Sequence, residues 1–147
     1  PKSRRSSYHT TICVLEGLLE YERAVGSVPE IASSRRRGED YLLERALFRR
    51  RSTGEVASPA FLLFAFPTRY YYDVLRALDY FRAADVEHDP RMGEALRIVE
   101  SRRQADGRWM LDASHDEALA FPFRESVGES SRWNTLRALR VLRWAAR

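Results

Sequence analysis

Cysteine is nearly missing from this chain, and so is lysine: Cys13 and Lys2 are the sole examples. A single cysteine excludes an intrachain disulfide and gives no sign of an oxidising compartment. The opening residues Pro1-Lys2-Ser3-Arg4-Arg5-Ser6-Ser7 carry no apolar core of the kind a leader needs, so a cytoplasmic location is expected. Long apolar runs are also lacking. The longest, Phe61-Leu62-Leu63-Phe64-Ala65-Phe66, falls far short of the ~20 residues that cross a bilayer, so no membrane span is expected. The cations are almost all arginine, 25 against 21 acids for a net charge of +4. The basic runs Arg4-Arg5, Arg35-Arg36-Arg37 and Arg49-Arg50-Arg51 have acids close by, so none makes one phosphate-tracking face, and no nucleic-acid partner is expected. Neither a glycine-rich phosphate loop nor a Gly-x-Ser-x-Gly nucleophile turn occurs.

What the chain does have is an internal repeat. Of 147 residues, 44% are hydrophobic and 31% charged, ordinary for one globular domain with a sizeable core. Leu15-Glu16-Gly17-Leu18, Leu75-Arg76-Ala77-Leu78 and Leu136-Arg137-Ala138-Leu139 share the form Leu-x-small-Leu, each behind a polar or aromatic opening. The period of about 60 residues suits a helical hairpin with its connections. Aligning Gly54 with Gly107 relates the two intervening segments and gives an alternation of inner and outer helices. The reading is therefore all-α. Inner helices are expected over 8–24, 69–84 and 132–147, and outer helices over 31–50, with a break near Gly38, and from Pro90 to before Asp106. Residues 57–68 and 108–128 read as apolar connections, and no strand pairing is expected. Residues 1–7 are expected to be a flexible segment and 8–147 the helical-hairpin repeat domain, with Leu15, Leu75 and Leu136 buried at equivalent positions.

Two motifs carry a resemblance. Gln104-x-x-Gly107-x-Trp109 resembles the QW repeat of squalene–hopene cyclases and related terpenoid cyclases, with Arg51-x-x-Gly54-x-Val56 as a degenerate copy. Tyr8-His9-Thr10-x-x-Cys13-x-x-x-Gly17-Leu18 is similar to the opening of an inner helix in protein prenyltransferase β subunits. The resemblance implies an α/α toroid, an array of antiparallel helical hairpins in two concentric rings. This chain would supply a partial ring of about two and a half hairpins, to be completed by the rest of a larger toroid or by self-association. The Asp-x-Asp-Asp motif of protonating cyclases and the Asp-x-Cys zinc pair of prenyltransferases are both missing, so no catalytic residue is assigned.

The candidate sites follow from these alignments. His9 and Cys13 lie four apart and share a helix face, and Asp73 stands at the Cys13-equivalent position of the second repeat. The resemblance makes the three a candidate zinc site. The bland alternative has His9 bonding a loop and Cys13 filling the core. His9, Arg69, Tyr70, Tyr71, Arg132 and Trp133 are expected at the openings of the inner helices, roofed by residues 61–67 and 119–123. That mixture suits an isoprenoid or another apolar molecule with an anionic head. Alternatively the aromatics fill interhelical space, and the arginines pair with Asp116 and Glu125. The functional expectation is a cyclase- or prenyltransferase-like toroid domain that binds an apolar ligand; the alternative is a non-catalytic scaffold for protein interaction or self-association.

Overall fold

A computed structural model describes residues 6–115 and 123–147. The described residues are 54% helical, in five α-helices and two short 3-10 helices. Helix α1 (Tyr8–Val25) starts where the Ser7 hydroxyl accepts the Thr10 amide, and it buries Tyr8, Ile12, Leu15 and Leu19 at three- and four-residue spacing. Helix α2 (Pro29–Leu43) opens with proline in its first turn. Gly38 does not break it. A Cβ there would stand 2.8 Å from Leu15 Cδ2, so this glycine lets α2 press on α1.

Helix α2 ends seven residues before the expected Arg50. Ala46 and Leu47 take φ of 44° and 68°, outside the helical region, which turns Leu47 and Phe48 into the core. A turn at Gly54, a bridge between Arg49 and Val56 and a short 3-10 helix (Pro59–Leu62) follow. Helix α3 (Val74–Ala83) starts later than the expected residue 69, because Arg69 has φ 47° and the Asp73 carboxylate caps Arg76 N. A 3-10 turn (Pro90–Met92), capped by Asp89, leads into α4 (Gly93–Ser101). The expectation of no strand pairing is corrected: β1 (Trp109–Met110) pairs antiparallel with β2 (Ser130–Ser131), and Ala65 bridges Ala113. Two-residue strands are too short to show alternation in a sequence. Helix α5 (Arg132–Ala145) is capped by the Ser131 hydroxyl on Asn134 N.

Helix α3 packs on α1, α4 and α5; α2 packs on α1, and α4 also on α5. Helices α1 and α3 run parallel, since Tyr72 bonds His9, Arg76 bonds Glu16, and Arg23 reaches the Ala83 carbonyl. Helices α3 and α5 are also parallel, with Arg137 on Asp79 and Arg147 near Asp85. One core runs through Ile12, Leu15, Leu42, Phe48, Leu75, Phe81, Met92, Val99, Trp109 and Val141. Leu15 and Leu75 are fully buried, but Leu136 is 39% exposed, which corrects its expected burial. Helix α5 buries Asn134, Ala138, Val141 and Trp144 instead, because its neighbours α3 and α4 cover only that side.

The Gln104–Trp109 segment forms a tight reversal. Gly107 adopts φ 82° and the Gln104 amide bonds the Arg108 carbonyl, while the Gln104 side chain bonds the Arg102 carbonyl. Trp109 is wholly buried and donates Nε1–H to the Val99 carbonyl at 2.7 Å.

Candidate functional site

The parallel run of α1, α3 and α5 brings their N-terminal ends to one side of the molecule, and the candidate residues gather there in two groups. The first centres on His9, whose Nδ1 accepts the Tyr72 amide at 2.8 Å. Its ring stacks on Tyr70 and meets Tyr71 and Phe61 edge-on. Tyr71 in turn stacks on His115 at 3.8 Å. Burial, and then the Arg76 charge, lower the His9 pKa. With Nδ1 occupied as an acceptor, the neutral ring carries its proton on Nε2.

The second group surrounds Trp133, which stacks on Phe66 at 5.0 Å with nearly parallel rings; Phe66 also packs on Phe123. This pair stands at one end of a groove of about 330 Å³ across the face of α1, α3 and α5. Leu19, Ala83 and Leu136 add apolar lining. The polar part of the lining is largely neutralised by two ion pairs. Arg76 grips Glu16 with two bonds of 2.8 and 2.6 Å, and Arg137 reaches Asp79 at 3.4 Å. Both guanidiniums are buried and also bond backbone carbonyls, of Tyr71 and Ala65 respectively. Burial works against the Arg76 charge, but the Glu16 carboxylate outweighs it and holds the pKa above the ordinary value.

The structure thus separates the expected pocket wall. His9, Tyr70 and Tyr71 form one stack, Trp133 lines the groove, and Arg132 lies outside both, paired with Glu125 at 3.1 Å. Arg69 is exposed in a left-handed turn. Of the expected roof, residues 119–122 and the alternative partner Asp116 lie outside the described residues. The candidate zinc ligands do not assemble. Among the described residues no three His, Cys, Asp or Glu side chains come together to hold a metal. Asp73 is buried and spends its oxygens on the amides of Arg76 and Ala65; burial raises its pKa, against the pull of Arg137. Cys13 lies 3.6 Å from Arg76 Nη2.

Sequence reasoning missed Arg76 and Arg137. The signal was present: both occupy the second position of an identical Leu-Arg-Ala-Leu, and Glu16 holds the same position in Leu-Glu-Gly-Leu. One repeat position therefore supplies both partners of the α1–α3 ion pair. No protein-family model, curated protein or solved structure matches this chain.

Proposed function

We propose that this chain is a section of a toroid-like array of helical hairpins, similar to terpenoid cyclases and protein prenyltransferases, and that its groove binds an apolar ligand of the isoprenoid class. The groove across α1, α3 and α5 is the observation that carries the reading: Phe66, Trp133, Leu136 and Leu19 offer aromatic and aliphatic walls, and Arg140 stands as a cation at its rim. Its volume is at the lower end of the ~300–1,000 Å³ range of small-molecule pockets. Three parallel helices backed by α2 and α4 also suit inner and outer layers. The reading is one of binding: among the described residues the carboxylates that line the groove, Glu16, Glu20 and Asp79, are each held by an arginine. Replacing Trp133 by Ala removes the stack on Phe66, and Leu136→Asp places a charge in the apolar wall. Each is expected to weaken farnesyl diphosphate binding about tenfold or more in titration calorimetry, with the thermal melt nearly unchanged, since both residues are part-exposed. Undiminished affinity in both variants would contradict this use of the groove.

A second reading, a non-catalytic scaffold that self-associates, is favoured by the flanks. Val14, Tyr21 and Val25 of α1 and Leu136 and Leu139 of α5 are all exposed.

A further inference from the structure

A second cleft, of about 570 Å³, opens between the C-terminal ends of α3 and α5. Its walls bring together Arg82, Arg140, Arg143 and Arg147, with Trp144 beside them and Asp85 as the one carboxylate in the lining. Several arginines elsewhere are held close by carboxylates: Arg35 by Glu22 and Glu39, Arg49 by Glu94, Arg76 by Glu16, Arg102 by Asp112. Here they are not. Arg82 bonds Asp79, but Arg147 comes only within 3.9 Å of Asp85, with both groups largely exposed, a contact of little worth. Among the described residues Arg140 and Arg143 have no ion-pair partner, and α5 itself contains no acid.

The helix dipole explains part of this. A cation in the last turn of α5 faces unpaired carbonyls, which favours Arg143 there. It favours Arg82 in the last turn of α3 in the same way, but it does not explain Arg140, which lies more than a turn from the end of α5. Arg82 of α3, Arg140 and Arg143 of α5, and Arg147 just beyond α5 line one concave space. Each offers a planar fork of donors that matches an oxyanion two bonds at a time.

We infer that this cleft binds a small multivalent oxyanion of the diphosphate class, held between Arg82 of α3 and Arg140 and Arg143 of α5. The inference does not depend on the apolar groove, because inorganic pyrophosphate has no apolar part and is the probe. In titration calorimetry of the whole chain, pyrophosphate is expected to bind saturably at one site, more tightly than inorganic phosphate, and to weaken steeply as salt is raised. The double variant Arg140→Gln/Arg143→Gln should lose about tenfold or more of that affinity, while Asp85→Asn should tighten it. All three side chains are exposed, so the fold is expected to persist; an unchanged circular dichroism melt checks this. Absence of saturable pyrophosphate binding, or equal affinity in the double variant, would overturn the inference. So would tight binding of a single-stranded oligonucleotide that pyrophosphate cannot displace.

Discussion

Glu16, Arg76 and Arg137 occupy one position of the repeat and form the polar lining of the groove in two parallel staples. A buried cation held by a carboxylate and a backbone carbonyl fixes the spacing of adjacent helices, and removing either partner would leave the other uncompensated. His9 is the second residue whose setting has a measurable consequence. Its Nδ1 accepts the Tyr72 amide, and burial together with the Arg76 charge lowers its pKa from 6.5. Below that pH the unfolded chain takes up a proton that the folded chain resists. The unfolded state then binds more protons, and stability falls as pH drops through 6.5 toward the folded pKa. Asp73 acts in the opposite sense: its raised pKa makes stability fall as pH rises above 3.8. The difference between wild type and His9→Gln isolates the histidine. We expect the urea midpoint of wild type to fall more steeply than that of the variant between about pH 7 and pH 5. Identical slopes would show that His9 is not held neutral.

At the scale of elements, α1, α2 and α3 meet in one polar clamp. Arg35 of α2 bonds Glu22 of α1 at 2.7 Å and its own helix's Glu39 at 2.5 Å, and Glu39 accepts the Tyr80 hydroxyl of α3 at 2.7 Å. Glu39 is buried, so Glu39→Ala takes the acceptor from the buried Tyr80 hydroxyl and leaves the part-buried Arg35 with Glu22 alone. It should cost about 2 kcal/mol in chemical denaturation, with Glu39→Gln milder because an acceptor for Tyr80 remains. A loss under about 1 kcal/mol for Glu39→Ala would mean the clamp does not hold these helices together. Helix starts were legible where capping chemistry is local: Ser7, Ser131 and the Asp89-Pro90 pair mark them directly. The end of α2 and the start of α3 were not. The apolar pattern continues through Leu47, Phe48 and Tyr70-Tyr71-Tyr72, while the backbone departs from the helix at Ala46, Leu47 and Arg69. Core packing of Leu47 and Phe48 and capping by Asp73 decide those boundaries, and periodicity alone does not register them. The site was legible in the same uneven way. The stack of His9 on Tyr70 follows the repeat spacing, but the ion pairs of Arg76 and Arg137 exist only once helices some 60 residues apart lie side by side.

For the whole molecule, the two flanks differ in charge as well as being apolar. Helix α1 carries Glu16, Glu20 and Glu22 against one arginine, whereas α5 carries arginines and no acid. Their exposed side chains, Val14, Tyr21 and Val25 on one flank and Leu136 and Leu139 on the other, would be covered by α1 of one copy meeting α5 of the next. Sedimentation equilibrium at micromolar concentration is expected to show mass increasing with concentration, less so in high salt. A monomer at all concentrations with no dye-binding surface would contradict the scaffold reading. The central claim is that the groove between Phe66, Trp133 and Leu136 accepts an apolar chain. Titration calorimetry of the intact chain with farnesyl diphosphate at several temperatures tests it most directly. The account predicts saturable binding with a negative heat-capacity change, the signature of apolar burial, and weaker binding for Trp133→Ala. Binding with no heat-capacity change, or no binding at all, would contradict it.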